Sequence, residues 1–369
     1  MYLKNVSIRN FRNYEKVDLE FSKNVNIFIG NNAQGKTNLL ESIYVLAITK
    51  SHRNHIDNNL IKENQLFTKI KGKVEKANTT NEFELILNSK GKAVKINNNP
   101  IKKISEYISN FTVIIFCPDD LDLVKGSPSI RRKFMNIEIA QINKKYLRVL
   151  SEYNNLLKTR NEYLKQIDKT NIDKVYFEVL TDQLIEKGVR LYLYRNEFIK
   201  KVDVESNKIN EELSKNTTLQ IVYKPNIEIE KYDSELIKQK MKKKFIENAS
   251  REIFQKTTLY GPHRDDFEIY IDKKNIKNYG SQGQQRLAIL SMKFSEINIF
   301  IKETKEKPIL LLDDIFSELD ENKKNNIIKY IDRNIQTFIT TTDLENIDKK
   351  ILKKAKIYEI IDANIKTFK

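Results

Sequence analysis

The chain is short of several things at once. Its 369 residues include one cysteine (Cys117), three histidines, six prolines and nine glycines. A lone cysteine excludes an internal disulfide and suits a reducing cytosol. One thiol and three imidazoles leave a Cys/His zinc site short of ligands. Nothing approaches the roughly 18 consecutive apolar residues of a membrane span. The longest buried-looking runs are VIIFC and ILLL. The opening MYLKNVSIRNF is punctuated by Lys4 and Arg9 and has no apolar centre of the secretory kind. No repeat and no long Pro/Gly linker divides the chain. These absences lead us to expect a soluble, cytoplasmic protein without a membrane partner.

What is abundant is positive charge. Lysine and arginine number 66 against 50 acidic residues, a net charge of +16, with a pI of about 9.4. Such side chains displace counterions condensed on phosphates, which fits a nucleic-acid-binding surface. A lysine-rich surface that is merely solvated gives the same total. The charge forms no basic tail, only clusters such as RRKF (Arg131 to Phe134) and KQKMKKKF (Lys238 to Phe245). A hydrophobic content of 40% is enough for a real core. The length suits two domains, or one large domain with an insertion.

The first hundred-odd residues read as short strands. NVNIFI leads into a glycine-containing turn, and NLLESIYVLAI after it has helical spacing. NEFELILNSKGKAVKINNNP reads as a hairpin turning near Asn88 to Gly91, and FTVIIFC as a buried strand ending at Pro118. After Pro128 the pattern changes. Ile142, Tyr146, Val149, Tyr153, Leu156, Tyr163 and Ile167 recur at three- and four-residue steps, interrupted by Arg160. Beyond the polar break DKTN, Phe177, Leu180, Leu184, Leu191, Phe198 and Val202 continue in the same manner. Two long amphipathic helices packed antiparallel are the simplest account, with core helices of one globular domain as the alternative. Strand patterns return at LQIVYKP and DFEIYID, and the chain closes with SQGQQRLAIL, KPILLLDDIFSELD and IQTFITTTD. The expected fold is α/β: a P-loop nucleotide-binding head, a mixed sheet with flanking helices, split by an inserted α-helical arm. The expected divisions are 1–130 for the first part of the head, 131–258 for the arm and 259–369 for the rest of the head.

Gly30, Asn31, Asn32, Ala33, Gln34, Gly35, Lys36 and Thr37 fit G-x-x-x-x-G-K-[ST] without a mismatch. The glycines let the backbone curl so that its N–H groups face the phosphates of ATP. Lys36 reaches the β- and γ-phosphates, and the Thr37 hydroxyl serves Mg²⁺. A P-loop also needs a carboxylate at the end of a buried neighbouring strand. ILLLDD supplies one: Asp313 would hold the ion, directly or through water, and Asp314 would polarise the attacking water as the catalytic carboxylate. A pair of carboxylates capping the next helix would explain the charge but not its place after such a strand.

The turn SQGQQR, opening an apolar helical pattern, offers bare backbone N–H groups to an anion. It resembles the signature motif of ABC-type ATPases, and SELD after Asp314 resembles the loop that crosses their dimer interface. In that family the signature helix of one subunit closes over ATP held in the P-loop of another. The resemblance therefore assigns Ser281, Gln282, Gly283 and Gln284 to the γ-phosphate bound by a second copy, and implies an ATP-dependent homodimer. IRNFRNY, PDDLDLVKGSPSIRRKF (Pro118 to Phe134) and LYGPHRDDFEI (Leu259 to Ile269) narrow it to the DNA replication and repair members of the ABC/SMC-type heads. The resemblance covers nearly the whole chain. What this implies is a dimer that binds DNA at single-strand gaps or junctions and acts with the mediators RecO and RecR. It would help load the recombinase RecA in recombinational gap repair and the SOS response, as a weak, DNA-stimulated ATPase.

Two departures temper the carry-over. Many ABC enzymes have glutamate where Asp314 stands, one methylene longer. Transporter-type heads carry a histidine after the next strand, where Thr340 to Asp343 stand here. Slow hydrolysis acting as a timer is the expectation. The alternative is an SMC-like or other ABC-type ATPase with a different DNA-processing partner, but SMC proteins need a much longer coiled coil. A transporter subunit would call for a short stretch between P-loop and Asp313, and a P-loop kinase leaves SQGQQR unexplained. Arg53 and Arg264 are secondary candidates for phosphate or interface contacts, with a surface ion pair as the plainer reading. His263 is one for nucleotide or DNA, or else a turn histidine satisfied by Asp265 or Asp266. Arg131 and Arg132 either bind DNA or are simply solvated.

Overall fold

The structure, a computed structural model, describes residues 1–53, 56–76, 79–167, 173–214, 217–316, 324, 334–345 and 347–368. The chain forms two compact units, one of residues 1–120 with 296–369 and one of residues 121–295. In chain order the first strands are β1 (Tyr2–Phe11), β2 (Tyr14–Glu20), β3 (Val25–Ile29), β4 (Phe67–Glu75) and β5 (Thr80–Asn88). They are followed by β6 (Gly91–Ile96), β7 (Asn99–Ile101), β8 (Val113–Phe116), β9 (Leu219–Lys224) and β10 (Asp266–Ile271). The last are β11 (Lys274–Asn275), β12 (Ile309–Asp313), β13 (Thr337–Thr341), β14 (Ala355–Ile361) and β15 (Asn364–Thr367).

The first unit holds two sheets. One is antiparallel, in the order β2-β1-β4-β5-β6-β7. Its strands alternate, as a sheet with one dry face requires: in β4, Thr68, Ile70, Gly72 and Val74 are buried while Lys69, Lys71 and Lys73 face out. The expected hairpin is its β5–β6 pair, closed by Asn88 opposite Gly91. Gly91 takes φ +126°, which a side chain would resist.

The second sheet runs β15-β14-β3-β13-β12-β8. Its central strands are parallel, and VIIF, ILLLD and TFITT are buried throughout, as strands covered on both faces must be. Phe21, Phe28, Phe338 and Tyr358 pack together around it, with Phe21 edge-on to Phe338 at 4.8 Å between centroids. Because β13 lies between β3 and β12, the register sets Phe28, Thr340 and Asp313 in one row. Three strand ends thus open at one place, where α/β sheets bind ligands.

The second unit carries the arm helices Pro128–Ile142, Lys144–Gln166, Lys174–Leu213 and Ser234–Gln255, with the small sheet β11-β10-β9. Partners between the second and third helices run in opposite directions. Tyr146 meets Arg195, Glu152 meets Lys187, Arg160 meets Thr181 and Tyr163 meets Tyr176. The pair is antiparallel, the simplest account of the two stripes. Asn143 breaks the first stripe from its predecessor by capping Lys145 and Tyr146. Arg160, which interrupted that stripe in sequence, is fully buried. Its guanidinium donates to Glu252 at 2.7 Å, Thr258 at 2.8 Å and Thr181 at 3.0 Å. The rings of Phe177 and Phe245 lie within 4.6 and 4.8 Å of it. A cation there is tolerable only because every side of it is answered. The lysines of KQKMKKKF lie on the fourth helix, whose Met241 and Phe245 face inward.

Removing one partner strands a buried charge. Glu252→Ala should cost about 3–5 kcal/mol in urea unfolding, and Arg160→Met with Glu252→Leu should recover most of it. A loss below about 0.5 kcal/mol, the scale of a surface change, would show the pair to be dispensable.

Candidate functional site

The P-loop residues lie where the sequence predicts, between β3 and a buried helix, Lys36–Ile48. The loop has little room. A Cβ on Gly30 would come 2.3 Å from the Ile360 carbonyl oxygen. Gly35 takes φ +110° and is held from outside by Tyr14, whose hydroxyl donates to its carbonyl at 3.0 Å. Ala33, between them, is left-handed at φ 66°. The Lys36 ammonium spans the loop, donating to the carbonyls of Gly30 at 2.6 Å and Asn31 at 2.8 Å. Burial lowers its pKa, and the charges of Asp314 and Asp313 oppose that shift.

Asp313 ends β12 beside this loop. Its Oδ1 accepts from the Thr37 hydroxyl at 2.9 Å and from the Thr340 hydroxyl at 2.7 Å. Burial raises the Asp313 pKa; the two hydroxyls and the Arg53 charge pull it back. The Thr37 and Asp313 oxygens form a hard pair of the kind Mg²⁺ takes when phosphates and water complete its shell. Thr340 does more than fill the place of an absent histidine. Its oxygen also accepts from the Asp314 N–H at 2.9 Å, so one hydroxyl fixes both aspartates. Asp314 sits left-handed at φ 51°, turned away from the strand direction of its neighbour. The hydroxyls within TFITT were the signal for this role, but nothing local sets Thr340 apart from Thr337 or Thr341.

Ser281, Gln282, Gly283 and Gln284 lie in the second unit, at the front of the helix Gln282–Thr304. The turn is a reciprocal capping box: the Ser281 hydroxyl oxygen accepts from the Gln284 N–H at 3.2 Å, and the Gln284 side chain accepts from the Ser281 N–H at 2.9 Å. The first-turn N–H groups of Gln282 and Gly283 have no intrahelical acceptor. Ser281, Gln282 and Gly283 are exposed. A Cβ on Gly283 would meet nothing nearer than Ser281 Oγ at 3.9 Å. Packing within the chain therefore gives no reason for a glycine, which costs about 1 kcal/mol against alanine in a helix. SELD (Ser317 to Asp320) lies outside the described residues.

The secondary candidates are mostly spoken for. His263 is held by the Tyr153 hydroxyl at 2.7 Å and the Thr258 carbonyl at 3.2 Å, not by Asp265 or Asp266. Asp265 instead takes the buried Arg195 at 2.9 Å. Arg131 is neither solvated nor free for DNA: it is buried and pairs with Asp266 at 2.6 Å. Arg132 donates to the Asp265 carbonyl at 2.8 Å, and Arg264 to that of Thr258. Arg53, in the first unit, donates to Asn38 at 3.3 Å and lends its charge to Asp313. Among the described residues no helix is long and apolar enough to cross a membrane.

The family model for the RecF/RecN/SMC N-terminal domain matches residues 2–365. Against solved structures, the chain aligns along its full length with the recombination mediator protein RecF-ATP of the RecFOR pathway. That match has a TM-score of 0.93 and 35% identity over 98% of the other chain. RecF-ATPrS of the same pathway gives 0.92 and 35%. The Smc head domain from Pyrococcus furiosus, at 0.54 and 16%, shares the fold. The chain is thus a head of the RecF/RecN/SMC class, a mixed α/β fold with a long helical arm. Among sequence relatives, the DNA replication and repair protein RecF of Listeria monocytogenes is 42% identical over 99% of this chain and all of that protein. RecF of Bacillus thuringiensis is also 42% identical, over 99% and 98%. The chain belongs to the RecF family of DNA replication and repair proteins.

Burial holds the His263 pKa down to about 4 from an ordinary 6.5. An unfolded chain binds that proton first, so the stability tied to neutral His263 is full above about pH 6.5 and is lost as the pH falls toward 4. Urea unfolding between pH 7 and 4.5 should show a fall that His263→Gln flattens; parallel curves for the two proteins would contradict it.

Proposed function

We propose that the chain is a cytoplasmic, ATP-driven DNA-binding switch that closes as a homodimer on nucleotide. The observation that carries the ATP site is the joining of Thr37 and Asp313 at 2.9 Å beside a mismatch-free P-loop. In this reading Gly30 to Thr37 wrap the triphosphate and Lys36 leaves its loop carbonyls for the β- and γ-phosphates. Thr37 and Asp313 would hold Mg²⁺, which when bound would screen the phosphate charge. Asp314, set by Thr340, orients water for a slow hydrolysis that times release. Related structures named RecF-ATP and RecF-ATPrS support nucleotide binding in this family.

A P-loop wraps only one side of a triphosphate. The open flank at Gly283, with the unanswered N–H groups of the capped turn, supports a second copy's signature closing the other side. Dimerisation then follows ATP by linkage. The net charge of +16 suits the phosphates of DNA at single-strand gaps. Family membership supports partnership with RecO and RecR in loading RecA, in gap repair and the SOS response. An SMC-like head with another DNA-processing partner is the remaining reading.

Sizing by light scattering, without nucleotide and with ADP or ATP, should give a monomer that becomes a dimer only with ATP. Ser281→Arg should abolish the dimer and leave ATP binding within a few-fold, whereas Lys36→Met should lose both. A Ser281→Arg protein that still dimerises would rule out a shared pocket. Thr340→Val, which keeps the shape and removes the hydroxyl, should slow ATP turnover at least tenfold; unchanged turnover would show that Asp313 and Asp314 need no such support.

A further inference from the structure

Three left-handed residues without the freedom of glycine meet at the P-loop. Ala33 is one, at φ 66°, and its methyl offers no polar group to ease that conformation. The others form the tip of the β14–β15 hairpin. Ile361 pairs with Asn364 across a two-residue turn, with Asp362 at φ 47° and Ala363 at φ 61°. A turn of that geometry favours Asn-Gly, and here it is Asp-Ala. Between the strained alanines stands Gln34. Its carbonyl accepts from the Ala363 N–H at 3.2 Å, and its side-chain oxygen accepts from the Asp362 N–H. The same hairpin's Ile360 carbonyl closes against Gly30, at the other end of the loop.

We propose that Gln34 is a positioning residue, tying the C-terminal hairpin to the phosphate loop and so holding Ala33 in the conformation that aims the loop's N–H groups at the phosphates. Strain concentrated at a site persists where its surroundings over-determine it, and two hydrogen bonds from a rigid turn do that here. The hairpin, remote in sequence from the P-loop, is thereby part of the nucleotide site without touching the nucleotide. This rests on the P-loop binding nucleotide, and the test separates the two.

The measurement is the Kd for a fluorescent ATP analogue, with ATP competition, in the full-length protein. Gln34→Ala should weaken binding about tenfold. Adding Ala33→Gly to Gln34→Ala should restore the affinity to within about twofold, since glycine holds a positive φ without help. Native-like binding by Gln34→Ala, or a loss that Ala33→Gly leaves uncorrected, would overturn the proposal. Native-like binding by Lys36→Met would instead sink the nucleotide site itself.

Discussion

A carboxylate carried to the end of a wholly apolar strand, and met there by two hydroxyls, is the interaction around which the site is arranged. Asp313 is 6% exposed, and a buried carboxylate with no partner would simply stay protonated. Thr340 answers it from the neighbouring strand β13, and Thr37 from the first turn of the helix that follows the P-loop. That arrangement requires β13 between β3 and β12, all three parallel and in one register. The apolar run ILLL exists to drive β12 into the middle of the sheet; the aspartate then has only one place to go. What the fold stores there is a negative charge held at some cost beside a loop rich in N–H donors, a cost that the divalent cation of the proposed function would relieve.

The signature turn is stored differently. Its polar side chains satisfy each other through the capping box, so the helix starts cleanly and exposes a flat, glycine-bearing flank. A glycine whose Cβ would point into open space is hard to explain from within one molecule. It becomes intelligible when something must come closer than a methyl group would permit. In the proposed dimer, two half-sites, each incomplete toward a triphosphate, would make a switch whose closed state exists only with ligand.

Much of this is legible in the sequence. The P-loop, its strand, its helix and Asp313 are local patterns whose meaning depends on a few neighbouring residues, and all fall where expected. The β5–β6 hairpin and the antiparallel arm pair were readable for the same reason, since alternation and helical spacing carry them. Arg160 was visible only as a blemish in a stripe, because its answer, Glu252, comes from a helix far along the chain. His263 and Arg131 looked available for ligands; burial against Tyr153, Thr258 and Asp266 removes them. The order of the sheets, the double role of Thr340 and the clasp of Gln34 on the C-terminal hairpin are contacts between distant segments, which no local pattern encodes.

The most direct test is a crystal structure with a non-hydrolysable ATP analogue and Mg²⁺. The account predicts Thr37 and Asp313 on the cation side of the triphosphate, and on its other face Ser281 and the Gly283 N–H of a second molecule within hydrogen-bonding distance of the γ-phosphate. A nucleotide held by the P-loop alone, with every copy's signature turn facing solvent, would contradict it.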